Sequence, residues 1–252
     1  RVASFLLLHS FERGIGCTVE IDRQQAMERR DFDYYEARAR DVKLADITSC
    51  EDNAEILRRL RRQDTSLDAI NITDDADDDD DDCFNLLCEG DDFGWLGYFI
   101  GKSKCLGYLR IYSWGEEENI EAFIIDGINR NRSINSLHIG TDLRGVSFRN
   151  LGPFLRNNNR LAELELNFEV GLECAQSIAL TLGESQCQSL KNLRLNDCNL
   201  GAEGFIGIAT ALRTYRQLED LHLENNNIDL MGCIALGETM RGWETSNLKH
   251  LD

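Results

Sequence analysis

The stretch Ser189-Leu-Lys-Asn-Leu-Arg-Leu-Asn-Asp-Cys-Asn-Leu-Gly-Ala-Glu-Gly204 decides how this chain folds, and Leu218-Glu-Asp-Leu-His-Leu-Glu-Asn-Asn-Asn-Ile228 repeats its design. Each contains the hexad L-x-x-L-x-L. The last two apolar residues of the hexad are two apart, so both point to one face of a short strand while their neighbours point to the other. Working outward, the same spacing appears as Leu67-Ile70-Ile72, Leu106-Leu109-Ile111, Ile134-Leu137-Ile139, Leu161-Leu164-Leu166, Leu190-Leu193-Leu195, Leu218-Leu221-Leu223 and the shortened Leu248-Leu251. The first anchors are separated by 39, 28, 27, 29, 28 and 30 residues. A fixed period in the twenties marks a stacked solenoid.

A second apolar set follows each hexad at helical spacing. Leu195 is followed by Phe205, Ile208, Ala209 and Leu212, an i, i+3, i+4, i+7 stripe. Its counterparts are Phe148, Leu151, Gly152 and Leu155; Ala175, Ile178, Ala179 and Leu182; and Cys233, Leu236, Gly237 and Met240. Strand and helix each own one apolar face, and stacking on neighbouring units is the way to cover both. The spacing therefore predicts a stacked α/β array of strands alternating with helices over residues 66–252, about seven strands in all.

The two quoted blocks resemble leucine-rich repeats of the ribonuclease-inhibitor type, a class that also occurs in RanGAP proteins and in the sensor regions of NLR immune receptors. The resemblance implies a horseshoe solenoid with the parallel sheet on the concave side and helices on the convex side. In that family an Asn or Cys eight residues after the first Leu satisfies backbone groups where the strand turns away. Cys198 and Asn226 match it, while Asp75, Trp114, Asp142 and Glu169 hold the position in earlier units.

A solenoid offers a long surface rather than a pocket for chemistry. The strand positions expected to face solvent are Tyr108, Arg110 and Tyr112; Ser136 and His138; Glu163, Glu165 and Asn167; Asn192, Arg194 and Asn196; Asp220, His222 and Glu224; and His250. Tyr and Arg among carboxylates and amides suit a polar protein interface. The expected function is a non-catalytic module that binds a protein partner on this face. Two alternatives come with the resemblance: a RanGAP-like GTPase-activating protein, or the sensor region of a larger NLR-like receptor. The first needs an Arg and an Asn on a turn near one end of the sheet, and neither maps here. No nucleotide-binding block accompanies the second.

The charge is −18, and eight aspartates around Ala76 fill residues 74–82. That run sits where the first step exceeds the period, and reads as a mobile insertion between strand and helix. It lacks the alternating ligands, glycine turn and terminal Glu of an EF-hand. Such acidity disfavours DNA or anionic lipid and favours a basic protein partner. Gly101-Lys102-Ser103 resembles the end of a phosphate loop, but Leu96 stands where its first glycine belongs. The segment fits a helix instead.

Nine cysteines contain no C-x-x-C, and Cys174, Cys198 and Cys233 are expected to pack as core residues. An odd count points to reduced thiols and a cytoplasmic setting. Of the histidines, His138, His222 and His250 fall on strands. His222 is expected beside Arg194 and His250, His138 beside Arg110 and Glu165, with no nucleophile next to either. No cofactor, metal or catalytic site is expected.

Residues 1–65 carry no repeat and are expected to form helices that cap the array. Residues 23–40 read as a polar helix, broken near Asp31. Glu51 to Arg62 reads as a second, started by Ser49 or Asp52 and with Arg58, Arg59, Arg61 and Arg62 on its outer face. Pro153 is expected to shorten or distort its helix. No run reaches the roughly 18 apolar residues of a membrane span, and the apolar stretch 2–8 reads as a buried element. The chain begins with Arg1 and stops in a hexad at Asp252, so the parent protein is expected to continue.

Overall fold

The strands fall on the hexads. The computed structural model describes residues 31–73, 84–87, 93–112, 120–140, 148–168, 170–184, 189–241 and 247–252. The strands are β1 (Ala69–Thr73), β2 (Phe84–Leu87), β3 (Tyr108–Ile111), β4 (Ser136–Ile139), β5 (Glu163–Leu166), β6 (Asn192–Arg194), β7 (Asp220–His222) and β8 (His250–Leu251). They form one sheet in the order β2-β1-β3-β4-β5-β6-β7-β8, and every pair is parallel. Like anchors lie side by side, as in Leu109↔Leu137, Leu137↔Leu164 and Leu193↔Leu221. No anchor of the six complete hexads is more than 3% exposed. At roughly 1.5–3 kcal/mol per fully buried leucine or isoleucine, this column is the main store of stability.

The helices are α1 (Phe32–Arg38), α2 (Glu51–Arg62), α3 (Phe93–Lys102), α4 (Ile120–Arg130), α5 (Phe148–Asn157), α6 (Gly171–Gly183), α7 (Gly201–Leu212) and α8 (Leu230–Arg241), and from β2 onward they alternate with the strands. From α3 to α8 each packs against the next, in the same order as the strands. Residues 43–252 form one compact unit, and the described residues 31–42 belong to another. In the smaller one, Asp31 caps α1 by accepting from the Tyr34 amide at 3.0 Å.

Strand β2 is an addition to the expected seven. It lacks the hexad, and it follows residues 74–83, which lie outside the described residues. The acidic run is therefore bracketed by two strands rather than by a strand and a helix. Strand β2 lines β1 in register, Asn71 opposite Asn85, with the two amides hydrogen-bonded at 3.0 Å.

Three local expectations are corrected. Helix α2 has Cys50 as its N-cap, with no side-chain cap from Ser49 or Asp52; the Cys50 amide donates instead to Thr48 Oγ1. Arg59 is not on the outer face of α2: it lies over the Phe84 ring at 4.1 Å and donates to Asp64 and Ser66. In α8 the buried positions are Gly232 and Thr239, whereas Cys233 and Met240 are exposed. Helix α8 packs on α7 alone among the described helices, so its covered stripe shifts to that side. Thr239 Oγ1 crosses it to donate to Ala209 O at 2.7 Å.

Helix α5 runs through Pro153, which lacks the amide that would close a turn. One residue later the Phe154 amide donates to Asn129 Oδ1 of α4 at 3.0 Å. The apolar positions Phe148, Leu151 and Gly152 have side chains outside the description, while Leu155 is buried.

Two features hold the units at their spacing. Gly97 of α3 and Gly127 of α4 meet backbone to backbone: a Cβ at Gly97 would lie 2.2 Å from Phe123 O, and one at Gly127 would lie 2.1 Å from Gly97 O. Fully buried Asn131 closes the turn into β4. Its Nδ2 donates to Ile100 O and Ser103 O, and its Oδ1 accepts from the Ser133 and Ile134 amides. Asn158 repeats this one unit on, bonding Ile134 O and the Arg160 and Leu161 amides. Among the described residues no helix is long and apolar enough to cross a membrane.

Gly97→Ala drives a methyl into backbone and is expected to destabilise by about 1–3 kcal/mol. Gly237→Ala in α8 meets nothing within 4 Å and is expected to stabilise by about 0.5–1 kcal/mol through helix propensity. Urea unfolding of both variants checks the helix contact, and a Gly97→Ala midpoint at or above that of the native chain contradicts it. Asn131→Leu leaves buried amides and carbonyls unpaired and is expected to cost at least about 2 kcal/mol. The same unfolding curves read that loss.

Candidate functional site

Opposite the leucine column, the sheet presents polar side chains in two aligned rows. Tyr108, Ser136, Glu163, Asn192, Asp220 and His250 register strand by strand in the first. Arg110, His138, Glu165, Arg194 and His222 do so in the second. Tyr112, Asn167, Asn196 and Glu224 follow the strand ends. Of the thirteen residues expected at a partner-binding face (Ser136 and His250 aside), nine register in these two rows, and the other four lie just past the strand ends. Tyr112, Asn167 and Glu224 are exposed, and most others are half-buried by their neighbours.

The rows differ in charge from one end to the other. At β3 the Arg110 guanidinium lies over the Tyr112 ring at 4.2 Å, and the Tyr108 ring meets His138 edge-on at 5.0 Å. The middle is a connected network. Tyr108 Oη is 3.3 Å from His138 Nδ1, Ser136 Oγ is 3.1 Å from His138 Nε2, and the Ser136 hydroxyl donates to Glu163 Oε2 at 3.1 Å. With a neutral imidazole the arrangement that satisfies all three contacts has Tyr108 donating to Nδ1, Nε2–H donating to Ser136, and Ser136 donating to Glu163. Arg194 donates to Glu163 and reaches Glu165 at 3.4 Å. Toward β8 the face is acidic. With its side-chain amide turned so that the nitrogen faces β7, Asn192 donates to Asp220 Oδ2 at 2.7 Å, Asp252 Oδ2 lies 3.2 Å from His222 Nδ1, and Glu224 is exposed.

Two expectations about the histidines change. His250 does not neighbour His222; it lies opposite Asp220, and Asp252 takes the place beside His222. The truncated hexad Leu248-Lys-His-Leu251 puts His250 one pleat earlier than the other strand histidines. His138 does have a hydroxyl beside it. Ser136 and His138 are two apart on one strand, so the pleat turns both to the same side. Ser136 is only 7% exposed and its proton is committed to Glu163, so it anchors a carboxylate rather than presenting a nucleophile.

The His138 imidazole facing Glu163, together with Arg194 and the Ser136 hydroxyl, overcomes partial burial and holds its carboxyl down to about 2. At the rim, Lys191 and Lys249 flank Glu219 and lower it likewise to about 2. Burial pushes the Cys198 thiol up to about 12, and its Sγ bonds Leu166 O at 3.1 Å. Cys198 and Asn226 both do the backbone work expected of their position, Asn226 by donating to Leu195 O, Leu223 O and Glu224 O. Asp75, Trp114, Asp142 and Glu169 lie outside the described residues. The turn residues Asn131 and Asn158 escaped the sequence reading. Their signal was a polar residue three before the first anchor, shared by Asp64 and Ser103.

The lowered Glu163 couples this face to acid stability. A carboxyl depressed in the folded state contributes stability that is complete above its unfolded value of 4.5 and is lost as the pH falls toward about 2. Glu163→Gln is therefore expected to unfold at lower urea than the native chain at pH 6, with the two midpoints converging toward pH 2. A gap that stays constant over that window would contradict the coupling. No protein-family model matches this chain.

Proposed function

We propose that this chain is a leucine-rich-repeat protein, with repeats similar to the ribonuclease-inhibitor class, acting as a non-catalytic module that binds a basic protein on the polar face of its sheet. The observation that carries this reading is the register of that face. Two rows of polar side chains run from β3 to β7 on rigid, hydrogen-bonded strands, so a partner meets a preorganised surface and little ordering entropy is lost on contact. The repeat period and the turn roles of Cys198 and Asn226 support the repeat class. Glu163, Glu165, Asp220 and Glu224 outnumber Arg110 and Arg194 on the face, and the net charge of −18 extends that bias to the whole chain. Such a field speeds encounter with a basic surface and weakens with salt. Tyr112, exposed and stacked under Arg110, is the aromatic anchor at one end.

The test is capture of basic partner proteins by the native chain and by a variant carrying Tyr112→Ser, Asn167→Lys and Glu224→Arg. These three positions lie outside the ion-paired middle, so the fold should survive, and circular dichroism checks it. A partner held by the native chain, released by moderate salt and bound at least about tenfold more weakly by the variant is the expected result. Equal binding by both would move the contact away from this face.

A further inference from the structure

The middle of the polar face holds a donor set that protein binding does not require. His138, Glu163 and Glu165 each offer one ligand atom, and the three atoms lie within 4.8 Å of one another. The side chains are 17%, 23% and 29% exposed, sheltered yet open on the solvent side. They project from β4 and β5, which are hydrogen-bonded neighbours, so side-chain rotation alone closes the set. The imidazole is already oriented. Ser136 engages Nε2, and Nδ1 stands 3.6 Å from Glu165 Oε2 and 3.3 Å from Tyr108 Oη, a hydroxyl that a metal on Nδ1 would displace. A second partner on the far ring nitrogen is how metal-binding histidines are usually fixed.

The donor types choose the ion. Calcium and magnesium take all-oxygen shells, whereas an imidazole with carboxylates suits zinc and its neighbours, which bind with three protein donors and one open position. The competing charge is Arg194, which contacts both carboxylates. Its side chain is 35% exposed and can withdraw to water, leaving a doubly charged ion in closer contact. We propose that this chain binds one divalent transition-metal ion of the zinc class through His138, Glu163 and Glu165, with Arg194 as the resident counter-ion that the metal displaces. The site stands whether or not a protein docks on the same face. If one does, the open position can take a donor from it.

The experiment titrates the full chain with zinc chloride by calorimetry near pH 7.5, and with cobalt(II) by visible absorption. The expected result is one saturable equivalent, with cobalt d–d bands and no thiolate charge-transfer band. His138→Gln and Glu165→Gln should each weaken binding at least about tenfold. Arg194→Gln should tighten it, because the competing cation is gone. Circular dichroism confirms that each variant is folded, and Glu165→Gln keeps the test open should His138→Gln unfold. Absence of a saturable equivalent would overturn the proposal. So would binding that survives both His138→Gln and Glu165→Gln, as would a thiolate band, or zinc lost only when the aspartates of residues 77–82 become asparagines. Weaker binding by Arg194→Gln would equally count against it.

Discussion

The rest of the structure depends on a mismatch of pitch. Parallel strands lie about 4.8 Å apart, whereas packed helices need about 8–10 Å. A unit that is half strand and half helix must reconcile the two every 27 to 30 residues. The chain does so by removing side chains where helices meet. Gly97 and Gly127 let α3 and α4 touch through their backbones. Gly204 faces the Ala175 Cβ, and Gly232 faces Phe205. Small residues on the helices thus permit the unbroken sheet, which in turn permits the aligned rows of polar side chains.

A second constraint is polar. Every turn between strand and helix brings backbone groups into the interior, where an unpaired one costs about 1–3 kcal/mol. Asn131, Asn158 and Asn226 each bond groups from two successive units. They are as much part of the core as the leucines, although composition counts them as polar. The same logic governs the solvent side, where Glu163 is satisfied by residues from the strands on either side of it: Ser136 and His138 of β4 and Arg194 of β6.

Much of this was legible in the sequence because period and pleat act locally. The hexads located seven of the eight strands among the described residues, and the pleat set nine of the thirteen face residues in two aligned rows. What escaped reading depends on neighbours. Strand β2 carries no hexad and exists because β1 offers it an open edge. The buried stripe of α8 is chosen by α7 and not by its own periodicity, so Cys233 is exposed where packing was expected. The Tyr108–His138–Ser136–Glu163 chain joins three strands, and residue spacing alone names its members without saying which of them meet. The slip at His250 came from treating a truncated hexad as if its histidine held the later strand position.

Pro153 has a consequence for how the array assembles. Its helix loses one amide at the proline, and the next amide is met by Asn129 of the preceding unit. Helix α5 is therefore penalised when alone and draws on the unit before it. At this boundary assembly acquires a direction: α4 serves as the template on which α5 is completed, so folding that begins nearer residue 93 can pass through the proline, while a start at α5 itself is penalised. A repeat array can in principle nucleate anywhere; here one imino acid biases the starting point.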